Sequence, residues 1–198
     1  MTAGRLLRAH DRAATPWRNG GGVTREVAAG PADAGLDDFT WRVSLADVAA
    51  GGPFSAFPGV DRVITVVDGP GMELTVDGAP HLVDAAFEPF SFSGDAATEC
   101  RLLGGPLVDF NVMTRRAAAT ADVRVTRAPF SVPAVPTVPA APETGVATLV
   151  IALSGTATET GSGLTLERFD AVLYEEGETG AFRVDGVTAV VTVTPKPS

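Results

Sequence analysis

Apolar and polar residues alternate with a period of two along most of this chain, in short runs. Across residues 39–48, Trp41, Val43 and Leu45 fall on one side and Arg42, Ser44 and Ala46 on the other. Across 107–113, Val108, Phe110 and Val112 alternate with Asp109, Asn111 and Met113. Residues 63–67 are a β-branched run, Asp68-Gly-Pro-Gly is a breaker and 72–76 is the return strand, with Asp77-Gly78 marking a second turn. Further strands are expected at 5–9, after the glycines at 20–22, and at 80–84, 88–92, 98–103 and 123–126. Beyond them, 147–153, 165–166, 171–174, 180–184 and 187–194 read the same way. No stretch carries a capped apolar period of 3.6. Many short strands spaced roughly 8–12 residues apart predict an all-β barrel or sandwich.

The alternation is interrupted by prolines at 129, 133, 136, 139 and 142. Proline donates no ladder hydrogen bond and stiffens an extended chain, so 128–145 reads as a connection. It divides a first half, 1–127, from a smaller second half, 146–198. The first half holds nearly all the polar residues set among aromatics.

Charge and composition narrow the functional classes. The 198 residues carry a net charge of −9, which argues against a nucleic-acid partner. The single cysteine, Cys100, forms no internal disulfide and reads as a buried strand residue. The chain opens without the apolar core of a signal peptide, and no apolar run approaches ~18 residues. A cytoplasmic protein with no membrane contact is expected. Of the 15 Lys plus Arg, only Lys196 is Lys.

Candidate chemistry follows by elimination. His10 and His81 are far apart, whereas β-barrel metal sites need clustered histidines with a carboxylate. No metal and no cofactor are expected. The glycines at 20–22 precede Val23, Thr24 and Val27, β-formers and not a helix start, which disfavours a phosphate loop. Ser44 and Ser55 have no histidine near them in sequence and no nucleophile elbow. Asp61 and Asp109 could form an acid–base pair, although Asp61 paired with an arginine is the commoner outcome. What remains is a pocket in which Arg25, Arg42 and Arg62 offer bidentate contacts to a carboxylate. Asn19, Ser44, Asp109 and Asn111 add hydrogen bonds, and Trp17, Trp41, Phe54, Phe57 and Phe90 supply apolar walls.

These motifs carry a resemblance. Trp17-Arg-Asn-Gly-Gly-Gly-Val-Thr-Arg-Glu26, Trp41-Arg-Val-Ser44, Gly52-Pro-Phe-Ser-Ala-Phe-Pro-Gly-Val-Asp-Arg62, Gly69-Pro-Gly-Met72 and Gly105-Pro-Leu-Val-Asp-Phe-Asn-Val-Met113 together resemble the HutD/Ves family. The likeness covers residues 5–116 strongly and the tail only in length and strand pattern. It implies a bicupin, two double-stranded β-helix barrels in one chain, with a metal-free pocket. It also implies a regulator or sensor in histidine utilisation that binds a carboxylate intermediate, N-formylglutamate or urocanate. No firm enzymatic activity goes with the family, so a binding protein is expected before an enzyme. Carried over by motif, the ligand-binding set is Asn19, Arg25, Arg42, Ser44, Asp61, Arg62, Asp109 and Asn111. The alternatives are a cupin-type enzyme using Asp61 and Asp109, and a structural protein with a vestigial pocket. A homodimer is compatible with either.

Overall fold

The computed structural model describes residues 4–134 and 146–196. The chain is all-β: among the described residues the only helical piece is a 3-10 turn at Ala9–Asp11. Two compact units form, one from Ala13–Ala117 and one from Met1–Arg12 together with Ala118–Ser198.

In chain order, β1 (Arg5–Leu7) belongs to the discontinuous unit, and the continuous unit follows. It contains β2 (Ala14–Pro16), β3 (Gly22–Gly30), β4 (Trp41–Val48), β5 (Gly52–Pro53), β6 (Val60–Asp68), β7 (Met72–Val76), β8 (Ala79–Val83), β9 (Phe90–Ser93), β10 (Thr98–Leu102) and β11 (Leu107–Arg115). These pair into a six-stranded sheet, β2-β3-β4-β11-β6-β9, and a four-stranded sheet, β5-β10-β7-β8. Ala46, Ile64 and Val66 from the larger sheet cluster with Met72, Leu74 and Cys100 from the smaller one. Burying such side chains stabilises by about 1.5–3 kcal/mol each for the larger ones. Cys100 packs its sulfur 3.6 Å from that of Met72, and burial pushes its thiol up to about 11, so it is inert.

The discontinuous unit resumes with β12 (Ala119–Thr126), β13 (Phe130–Val132), β14 (Ala147–Glu159), β15 (Thr165–Leu166), β16 (Ala171–Tyr174) and β17 (Gly180–Pro195). They form one seven-stranded sheet, β1-β16-β14-β17-β12, with β13 on β17 and β15 on β14. Phe182 stacks on Phe130 at 5.1 Å and meets Tyr174 edge-on at 6.3 Å, and the Tyr174 hydroxyl donates to Glu159 at 3.0 Å. Large aromatics therefore fill this interior.

The expected division at residue 127 differs from the observed pairing. β1 pairs with β16 and β12 with β17, so both lie in the second unit. Within the proposed connection 128–145, Phe130–Val132 is a strand, and residues 135–145 lie outside the described ones. The two strands expected at 180–184 and 187–194 are one long strand, and Gly186 is a bend within it. Gly186 sits opposite Gly155, both at positive φ, 135° and 65°. A Cβ at either position would strike a backbone carbonyl of the facing strand. Gly155→Ala is therefore expected to destabilise by roughly 2–4 kcal/mol in urea unfolding. Gly161→Ala, with open space around it, is the control and should shift little.

Candidate functional site

Register assembles the site. β6, β11 and β4 lie side by side, so residues directly opposite one another share a face. One row across the sheet is Val66, Asp109, Ala46 and Thr24; the next is Ile64, Asn111, Ser44 and Glu26; the third is Arg62, Met113 and Arg42. In the first row Val66 and Ala46 continue the core beside Asp109 and Thr24, and the third row carries two arginines. Above these rows lies a cavity of about 960 Å³. Its walls include Trp17 and Asn19, the 34–37 loop, and Phe54 and Phe57 from the 53–58 loop. The Trp17 indole donates to Thr24 at 2.8 Å, which fixes that wall.

Arg62 is the dominant group. Only 6% of it is exposed, and its guanidinium carbon lies 5.2, 5.6 and 4.9 Å from the ring centres of Phe54, Phe57 and Phe92. Cation–π attraction favours the charge there, yet burial dominates and brings the group down to about 10, with attraction from Asp109 opposing and repulsion from Arg42 adding. Its buried Nε has no hydrogen-bond partner. Asp109, 2% exposed, is pushed up to about 7 by burial, against the pull of Arg62 and with a push from Asp47. Asp109 Oδ1 and Asn111 Oδ1 are likewise buried without partners. Buried polar atoms are ordinarily satisfied, and these three unpartnered ones line a single cavity. Arg42 is committed to Glu26 at 2.7 Å. Arg115 also lines the cavity, but it donates to the Phe39 and Asp37 carbonyls and lies over the Phe39 ring.

Six of the eight expected residues line this cavity: Asn19, Arg42, Ser44, Arg62, Asp109 and Asn111. Asn19 also accepts from the Gly21 amide at 3.0 Å, so it shapes its own turn. Arg25 and Asp61 are not among the lining residues. Arg25 sits opposite Leu45 on the reverse face, ion-paired with Asp47. Asp61 accepts from Arg116 at 2.8 Å, and Arg116 also holds Asp95 at 2.9 Å. The alternative acid–base pair of Asp61 and Asp109 is thus not assembled. Trp41, expected as a wall, is buried but is not among the lining residues either. Glu26 and Phe92 were missed. Glu26 was findable, since it shares a strand face with Thr24, whereas Phe92 reaches Arg62 only through pairing with β9. Arg25→Gln and Asp61→Asn are expected to change ligand affinity less than about twofold and stability by about 1 kcal/mol or less, read by calorimetry and thermal melts. Among the described residues no three His, Cys, Asp or Glu side chains gather as a metal centre, and no helix is long and apolar enough to cross a membrane.

The sequence profile described as HutD matches residues 9–192. An uncharacterised 21.2 kDa protein in the hutC 3′ region of Pseudomonas putida is 47% identical over 113 residues, 57% of this chain and 59% of that one. Protein Ves of Citrobacter koseri is 42% identical over 117 residues, 58% of this chain and 60% of its own. The match thus spans about three fifths of each relative's length. Among solved structures, HutD from Pseudomonas fluorescens SBW25, in a formate condition, superposes with a TM-score of 0.82 at 30% identity, covering 98% of this chain and 100% of the other. The Escherichia coli pirin YhhW, in complex with nickel(II), superposes with a TM-score of 0.64 at 12% identity, covering 98% and 99%. The second likeness shows the fold alone, a cupin-like all-β one.

Proposed function

We propose, from the premise that this chain belongs to the HutD family, that its cavity binds a small organic carboxylate without help from a metal ion. On this reading the chain is a bicupin: the 13–117 unit is the binding barrel and the discontinuous unit its filled counterpart. Its role is that of a sensor or regulator in histidine utilisation, with urocanate or N-formylglutamate as the ligand. The location of the Pseudomonas putida relative in a hutC region supports the pathway.

One observation carries the reading. A guanidinium buried among three phenyl rings has no anionic partner within ion-pairing distance among the described residues. A buried cation without a counter-charge is costly to keep, and a bound carboxylate offsets that cost with a charge-assisted, bidentate contact. Arg42 sits one strand beyond Met113 in the same row, its charge balanced by Glu26. The net charge of −9 opposes an anion at long range, but screening weakens that field over about 10 Å while the buried Arg62 acts at contact.

Calorimetry with urocanate and with N-formylglutamate is the test. Heat from either, weakened by Arg42→Ala, is expected; no heat from both removes this ligand assignment. A second reading, acid–base catalysis on a small organic acid, draws on Asp109 alone, because its carboxyl near 7 suits proton transfer. Turnover surviving Asp109→Asn would exclude it. A vestigial pocket is disfavoured by the volume of about 960 Å³, well above the ~300 Å³ at which ligand sites begin.

A further inference from the structure

The carboxylate reading accounts for Arg62 but leaves Asp109 and Asn111 unexplained. Both are nine-tenths or more buried, both line the cavity, and each has an oxygen without a hydrogen-bond partner. An ionised Asp109 cannot take a ligand's carboxylate, since acceptor would face acceptor. The amide of Asn111 can rotate to offer either end; the Asp109 carboxylate, once ionised, only accepts, so it sets the sign of the subsite. Asp109 and Asn111 are alternate residues of β11, which places them roughly 7 Å apart on one face. Arg62 lies opposite Met113, one further step along that face. Asp109 and Arg62 feel each other's charge without an ion pair between them. The cavity therefore has a donor end and an acceptor end, held apart by the strand.

Resting on the carboxylate reading and deepening it, we propose that the ligand also carries a nitrogen-borne hydrogen, a few bonds from its carboxylate, which donates to Asp109 with Asn111 beside it. The class is that of N-acyl amino acids, imidazole acids and amino acids, as against simple mono- and dicarboxylates. The physical cause is an asymmetry in desolvation. Asp109 is buried without a partner in the free chain, so a ligand that brings a donor relieves a cost that a ligand without one leaves in place. Sites built to hydrogen-bond a polar group reject analogues that lack it more strongly than apolar pockets reject a missing methylene.

The experiment is calorimetry on the full chain at about pH 8, where the Asp109 carboxyl is ionised. Urocanate is compared with 3-(furan-3-yl)propenoate, which keeps the shape and carboxylate and lacks the N–H. N-formylglutamate is compared with glutarate, and glutamate serves as the ammonium arm. The N–H-bearing member of each pair is expected to bind about tenfold tighter or more on the wild type. The preference should shrink below about threefold in Asp109→Leu, and in Asn111→Leu if the first variant does not fold. Whether glutamate or N-formylglutamate binds tighter then separates an ammonium donor from a neutral one. Equal binding of both members of each pair to the wild type overturns this inference and leaves the carboxylate reading standing. No binding by any of the acids removes both.

Discussion

Arg62→Met is expected to raise the melting temperature of the free protein and at the same time abolish carboxylate binding. The guanidinium is 6% exposed, sits within 4.9–5.6 Å of three phenyl ring centres and leaves its Nε unbonded. Burial brings it down to about 10, which means the fold holds the charge at a cost. Methionine has a similar reach, no polar atom to satisfy and a sulfur that packs well against aromatic rings. Exchanging a buried, unpaired charge for a fitted apolar side chain typically stabilises by about 1–4 kcal/mol. For a chain of this length that is a rise of roughly 2–10 °C. Binding should fall by about a hundredfold or more, because a bidentate, charge-assisted contact is lost from a water-poor site. The melts belong at about pH 6, where Asp109 is mostly neutral, so that removing its attractive neighbour does not confuse the result. Ligand should raise the melting temperature of the wild type and leave that of the variant unmoved. A variant that melts lower and still binds would mean that Arg62 supports the fold and not the ligand.

Much of this site was legible because strand alternation is rigid. Placing Arg42 with Ser44, and Asp109 with Asn111, on common faces required only a period of two, and β4 and β11 then brought the two pairs into register. The same rule exposes the two members that fell outside. Asp61 and Arg62 are consecutive on β6, so both could not face one cavity, and Asp61 went outward to Arg116. Arg25 alternates with Glu26 and Thr24, and Glu26 and Thr24 are the ones that line the cavity. Which face turns inward is decided by the partner sheet, and strand pairing across dozens of residues leaves no local mark. That is also why β1 and β12 were assigned to the wrong half: their partners are β16 and β17, far along the chain. The depth of Arg62 was equally hidden, since Phe92 reaches it from β9. The long β17 read as two strands because glycine marks turns and bends alike, and only the facing Gly155 distinguishes them.

Asp109→Asn should stabilise the protein above about pH 7 and have little effect near pH 4. In the folded chain the Asp109 carboxyl is pushed up to about 7, from an ordinary value of 3.8, chiefly by burial. Between those values the folded state holds a proton that the unfolded state has released. Stability from this group is therefore complete below about pH 4 and declines as pH rises through 7, beyond which the curve is flat. The span of about three pH units corresponds to something on the order of 4 kcal/mol, an upper bound because water entering the cavity and relaxation around the anion reduce it. Asparagine keeps the shape and stays neutral throughout, so the difference between variant and wild type should grow across that interval and then level off. Arg62 attracts the ionised form, but its pull is already included in a carboxyl that remains raised, so desolvation wins. Urea unfolding of both proteins at half-unit steps from about pH 4 to 9 reads the difference directly. A difference that stays constant across that range, or one that favours the wild type at the alkaline end, would place Asp109 in contact with water or with a donor, and the acceptor end of the cavity would then need no ligand to complete it.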